Sequence, residues 1–316
     1  MSDTKRLEYI DIAKGICMLL IMLGHCATGT PVRRSLFLIT WIYSFHTTTF
    51  FVITGMLMAH IKEYDRPLKQ VIFVNVKRLL LPYFIFQLLY MVWNCLANGM
   101  NFAFWMIKEV FILVDWDYAS WFLLALFVSK TVVILIHKLC KDTKVTNSIL
   151  MTVFFIGLVL TKANTEFAYG WLFRQMIRSL IGIGFIELGI ILYSFDKYID
   201  GKPVILISLV MSLLTSYLNG IVSTFNLRIS NPILYTVSAV FGAIFVISIS
   251  KVIKSGFFSF YGKESLLALG FHQIILRSFP FKSIFLWFVI TPLTTLVMCI
   301  FAVLKKSLSL KGHTHH

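Results

Sequence analysis

Ten apolar blocks dominate this chain, most of them about as long as the 17–25 residues a helix needs to cross a ~30 Å hydrocarbon core. They fall near Ile10–Thr28, Leu36–Ala59, Leu79–Ala97, Ser120–Ile136, Asn147–Thr161, Trp171–Phe195, Pro203–Leu218, Pro232–Ile253, Glu264–Phe279 and Ile284–Leu304. Backbone groups in lipid must be satisfied within the protein, which favours helices for blocks of this length. The predicted fold is therefore all-α, a polytopic helical membrane bundle of about ten transmembrane helices. The polar stretches between the blocks are too short for a separate soluble domain. Residues 1–316 thus read as one transmembrane domain, with the closing His-Thr-His-His at 313–316 set aside as a tail. Only 14% of residues are charged, against about 25% in soluble chains. Phe102–Val114 is apolar but too short to span and carries Lys108 and Glu109, which predicts an interfacial or re-entrant segment.

The net charge of +15 does not point to nucleic acid, because the basic residues sit between the apolar blocks. Eighteen loop lysines and arginines collect on the side of the N-terminus and nine on the other, which predicts that both termini are cytoplasmic. The first block contains Asp11 and Lys14 and lacks a small-residue cleavage site, so it is expected to stay as a span. The five cysteines are scattered and show no metal or redox spacing. No metal is expected.

Ionisable groups inside a bilayer are expensive and mark functional sites by default. Lys14 and His25 are eleven positions apart, about three turns, so they share one face roughly 16 Å apart along the axis. Asp11 lies three residues before Lys14, within reach of an ion pair. The second span adds His46 in the polar run Ser44-Phe-His-Thr47-Thr-Thr-Phe-Phe. Its threonines could equally bond back to helix carbonyls, and a histidine in a span can be a helix–helix partner. Of Lys77 and Arg78, lysine reads as ordinary anchoring. Arg78 reads as a phosphate ligand, since a guanidinium can grip phosphate through two donors. Trp121 opens the fourth span, where an interfacial aromatic belt and a ligand shelf fit equally well. Arg178 and Glu187, nine residues apart, cannot pair with each other and need partners elsewhere. Glu264 and His272 fall in or beside the ninth span, with structural roles equally open.

These segments together resemble the membrane acyltransferase-3 family of acyl-CoA-dependent enzymes. The family's early signature, a basic residue, ten intervening residues and a histidine, is met by Lys14 and His25 within Tyr9-Ile-Asp-Ile-Ala-Lys-Gly…His25. Phe45-His46 followed by an aromatic pair and Gly55 is similar to a second block, although Thr47-Thr48-Thr49 stands where the family often has Met-Pro-Leu. Lys77-Arg-Leu-Leu-Leu-Pro-Tyr83, Trp121-Phe-Leu-Leu-Ala-Leu-Phe127 and Gly262-Lys-Glu-Ser…His272 are similar to later blocks, whereas Glu187 matches none.

The resemblance covers nearly the whole chain. It implies transfer of an acyl group, usually acetyl from acetyl-CoA, to a hydroxyl of a cell-envelope polysaccharide or its lipid-linked precursor. The stand-alone exopolysaccharide and capsule O-acetyltransferases of bacterial cytoplasmic membranes are the most similar in size. On that basis His25 is the expected general base and His46 or Thr47 an oxyanion donor. Asp11 orients or neutralises Lys14; Lys14, Arg78 and Trp121 meet the CoA; Thr47, Glu187 and His272 meet the carbohydrate or glycolipid acceptor. The alternative is a transporter or flippase of a polar or glycolipid substrate, since intramembrane charges also mark transport pathways. No internal repeat of the kind common in transporters is evident.

Overall fold

The computed structural model describes residues 6–27, 36–99, 119–163 and 171–312. The segment 102–114 lies outside them. The helices are α1 (Glu8–Ala27), α2 (Phe37–His60), α3 (Leu68–Asn75), α4 (Leu81–Asn98), α5 (Trp121–Leu139) and α6 (Thr143–Ala163). They continue as α7 (Trp171–Ser194), α8 (Lys202–Asn219), α9 (Pro232–Val252), α10 (Gly256–Lys263), α11 (Ser265–Arg277) and α12 (Trp287–Gly312). Among the described residues nine helical stretches are long and apolar enough to cross a membrane, α3 and α4 counting as one run over Leu68–Ala97. Large apolar side chains such as Leu96, Leu206, Leu214, Phe288 and Val303 stay exposed along them, as a lipid-facing surface requires.

The expected span at Glu264–Phe279 is corrected. It is the 13-residue helix α11, and the shorter α10 precedes it with a break at Glu264 (φ −103°, ψ 20°). Both pieces are built on α1. A Cβ on Gly15 would lie 2.0 Å from the Phe258 carbonyl oxygen, and one on Gly262 would lie 1.7 Å from that of Asp11. Such close backbone approach is how helices associate where lipid removes the hydrophobic driving force.

The last helix runs antiparallel to the first. Trp287 Nε1 donates to the Leu19 carbonyl (3.1 Å) near its start. One turn on, the Tyr261 hydroxyl donates to the Thr291 carbonyl (2.9 Å), and neighbouring Gly262 touches Asp11. The end of α12 therefore shares the end of the bundle that holds Glu8, here called the N-terminal end.

The core sits where α1, α2, α7 and α9 meet. Gly55 of α2 and Gly189 of α7 face each other's helices so closely that a Cβ would lie 1.9 Å from the Ile186 oxygen and 2.1 Å from the Val52 oxygen. Polar cross-links complete the packing. Ser44 and Ser238 hydroxyls lie 2.7 Å apart, Ser212 and Ser238 each donate to the other's carbonyl at 3.1 Å, and Trp41 Nε1 donates to Ser212 (2.9 Å).

Gly55→Val should destabilise the bundle by about 3 kcal/mol, the upper range of overpacking penalties. Gly256→Ala, whose Cβ would meet open space, should leave stability within about 0.5 kcal/mol, as for substitutions away from packed features. Thermal unfolding of the two variants in detergent measures the difference.

Candidate active site

Two cavities enter the bundle from its two ends and meet at the same side chains. The first, about 420 Å³, opens toward the N-terminal end among Lys14, Glu63, Asn75, Arg78 and Lys130. It then runs between Met18, Ile21, Phe50, Leu57 and Leu126. The second, about 630 Å³, lies toward the opposite end among Tyr43, Ser223, Phe225, Asn226, Gln273, Arg277 and Lys282. His25, His46, Thr47 and Trp121 line both. His25, His46 and Thr47 of the first two sequence blocks, with Trp121 of the fourth span, thus form the waist of one passage.

At the waist the half-buried His25 ring lies 5.2 Å from that of His272, centroid to centroid. Local backbone bonding fixes the other two imidazoles. His46 Nδ1 is 2.6 Å from the Ile42 carbonyl and His272 Nδ1 is 2.8 Å from that of Ala268. A carbonyl only accepts, so both Nδ1 atoms carry a proton, and in its neutral form each ring presents a bare Nε2. A neutral His46 therefore offers an acceptor rather than a donor to the passage, which leaves the Thr47 hydroxyl as the donor of the expected pair. His272 is fully buried, lines neither cavity, and its Nε2 has no partner among the described residues.

The mouth of the first cavity is a basic cluster. Asp11 is bound chiefly by Arg6 (Nε to Oδ2, 2.5 Å), and Lys14 Nζ stands 3.9 Å from its other oxygen. Lys14 is therefore only loosely held and faces the cavity. Arg78 comes from a π-helical turn at Val76–Leu80, whose extra residue re-aims the side chains after it. Lys77 packs over the Phe73 ring at 4.3 Å and does not line the cavity.

Lys130 of α5 was missed by the sequence reading. It bonds Glu63 (2.9 Å) and Asn75 Oδ1 (2.9 Å) and lines the same cavity. The signal was available, since Lys130 is a charge in an otherwise apolar span.

The wall of the second cavity hangs on Arg178. This side chain, 2% exposed, donates from Nε (3.1 Å) and Nη2 to the Phe225 carbonyl, and from Nη1 to Gln175 Oε1 (2.9 Å). Its guanidinium sits 4.9 Å from the Trp121 ring and 4.6 Å from the Phe225 ring. Cation–π contacts removed from water are worth about 2 kcal/mol each. Gln175 Nε2 in turn donates to the Trp121 carbonyl (2.9 Å). The loop so held closes with an antiparallel bridge between Ser223 and Arg228, and it carries Leu227 at φ 54°, a left-handed conformation costly for a branched side chain.

Glu187 is not brought to either cavity. Its carboxylate is fully buried and lies 2.9 Å from His137 Nε2. The Asn147 amide, in the orientation that satisfies its neighbours, donates to its other oxygen at 2.9 Å. The Tyr64 ring stacks on His137 at 4.9 Å. This arrangement ties α5, α6 and α7 together, so Glu187 acts there as a structural anchor. His137 of α5 is its partner.

Among curated proteins and among solved structures, none matches the chain. A family model described as an acyltransferase domain, that of acyltransferase-3, matches residues 7–305. That match takes in every residue of the passage and nearly the whole bundle. The chain belongs to the acyltransferase-3 family of membrane acyltransferases.

Proposed function

We propose that the protein is an acyl-CoA-dependent O-acetyltransferase of a bacterial cytoplasmic membrane, with His25 as general base and a hydroxyl of an envelope polysaccharide or its lipid-linked precursor as acceptor. The observation that carries this reading is the pair of cavities sharing His25, His46, Thr47 and Trp121. Each cavity has the chemistry of one reactant. Lys14, Arg78 and Lys130 suit the phosphates of CoA at the N-terminal end, which the excess of loop cations assigns to the cytoplasm. The apolar stretch beyond them suits the pantetheine arm and directs the thioester to the waist. Aromatic, hydroxyl and amide side chains in the second cavity suit a sugar.

In the transfer, the acceptor hydroxyl gives its proton to an imidazole nitrogen of His25 as its oxygen attacks the thioester carbon. The tetrahedral oxyanion takes a hydrogen bond from the Thr47 hydroxyl. Collapse breaks the C–S bond. The departing sulfur recovers the proton from His25, leaving an ester and free CoA. Lys14, relieved of full pairing by Arg6 on Asp11, is available to the CoA phosphates.

His25→Ala is expected to lower acetyl transfer to a saccharide acceptor by at least about 100-fold, the lower range of general-base contributions. His46→Ala should lose less, about ten-fold, as a positioning group does when one hydrogen bond is removed. Thiol release from acetyl-CoA by the purified variants measures both, and a His25→Ala enzyme of undiminished rate would refute the assignment.

Arg78→Gln and Lys130→Gln should each raise the KM for acetyl-CoA by about ten-fold, the scale of one charge-assisted contact. Unchanged acetyl-CoA affinity in calorimetry would move the phosphate site elsewhere.

A further inference from the structure

The mouth of the first cavity is basic, yet one of its cations is already paired. Lys14, Arg78 and Lys130 line it and lie close enough for their charges to act on one another. Among the described residues, Glu63 supplies the carboxylate in the same lining. Its Oε1 lies 2.9 Å from Lys130 Nζ, and both side chains are largely buried. Lys14 is in a different state, because Arg6 takes most of Asp11 from it.

Glu63 does not have to hold its own loop. It opens a single 3₁₀ turn, Glu63–Asp65, between α2 and α3. The Tyr64 ring stacks on His137, and Lys138 Nζ donates to the Arg66 carbonyl (2.6 Å), so its neighbours tie the turn to α5. Arg66 Nη2 also donates back to the Ile61 carbonyl (3.2 Å) and closes the loop on itself. The Glu63 carboxylate can therefore leave Lys130 while the turn stays in place.

The cluster also has a donor to spare. Lys130 gives a second hydrogen bond to Asn75 Oδ1 (2.9 Å), which leaves the Nδ2 of that amide for another acceptor. Nδ2 is buried and has no partner among the described residues, although Asn75 lines the cavity. A buried donor left empty is costly, and Glu63 in its present position does not satisfy it. A phosphate carries several strong acceptor oxygens, enough to take Lys130 and the Asn75 amide together.

We infer that Glu63 holds the place of a CoA phosphate on Lys130 while the site is empty, and yields Lys130 when the donor binds. This rests on the assignment of the first cavity to CoA. Glu63 is then a positioning residue that sets donor affinity. Binding exchanges one charge-assisted contact for another, so part of the attraction between Lys130 and phosphate goes into displacing the carboxylate. After transfer the same carboxylate competes for Lys130 and helps free CoA to leave.

Isothermal titration with acetyl-CoA in detergent tests the exchange, because it predicts a gain in affinity where a purely structural ion pair predicts none. Glu63→Gln should bind acetyl-CoA about ten-fold tighter, the scale of one charge-assisted contact. Glu63→Asp keeps the charge on a side chain one methylene shorter. It lengthens the pair with Lys130 and should bind about three-fold tighter, since attraction falls with distance. This variant also keeps a counter-charge near Lys130, so it remains readable if Glu63→Gln, which strands that buried ammonium, fails to fold. Unchanged or weaker binding by Glu63→Asp overturns the inference, and tightening in Glu63→Gln alone then reports only repulsion by a fixed carboxylate. Failure of the donor reading shows separately, as no binding of acetyl-CoA by the unsubstituted protein.

Discussion

No water is available inside a bilayer to solvate a charge, so each ionisable side chain within the bundle must find its partner in the protein. Those partners come from distant parts of the chain and fix how the helices sit. Arg178 reaches across to the Phe225 loop, Glu187 joins α7 to His137 of α5, and Lys130 of α5 reaches Glu63 beyond α2. Removing one member of such a pair strands a buried charge, at a penalty of several kcal/mol. The interactions thus act as registers for the bundle. Lys130, like Lys14 and Arg78, also faces the first cavity, where a bound ligand can add its own charge.

One short helix connects all parts of the passage. Ser265, Leu266 and Leu269 at the start of α11 line the first cavity, His272 meets His25 at the waist, and Gln273, Leu276 and Arg277 line the second. The break at Glu264 makes this possible. α10 is locked to α1 by the close contacts of Gly15 and Gly262, so an unbroken helix would inherit the direction those contacts impose. Separating the two pieces lets packing fix α10 while α11 follows the passage.

The sequence is most legible where a physical rule acts on nearby residues. Block length alone predicts nearly every membrane helix, because hydrocarbon thickness sets it. The eleven-residue spacing of Lys14 and His25 places both along the first cavity, because helical periodicity is local. Partners separated by long stretches of chain are not written in any such period. Arg178 visibly needs a partner, yet its choice of the Phe225 carbonyl depends on how α7 packs against the loop after α8. Glu187, read as an acceptor ligand, is held by His137 for the same reason. Lys130 is inconspicuous because a single lysine barely lowers the hydropathy of its span. The break at Glu264 escapes notice because Gly262-Lys-Glu-Ser reads as the polar lead-in to a span rather than a joint between two helices.

The passage also bears on the difference between moving a substrate and moving a group. A transporter must carry its polar cargo past the barrier, which requires rearranging one part of the protein against another. On the proposed reading the reactants are CoA with its phosphates and a saccharide with its hydroxyls, each costly to desolvate, and neither has to pass. The basic cluster at Lys14, Arg78 and Lys130 and the aromatic and amide lining around Phe225 and Asn226 occupy opposite sides of a waist only a few side chains thick. An acetyl group is small and weakly polar. If, as proposed, the waist brings thioester and hydroxyl to the same imidazole, that group is handed across while both carriers stay on their own sides. On this argument the histidines must sit at the junction of the two cavities, since deeper placement in either one would force the other reactant through the apolar core.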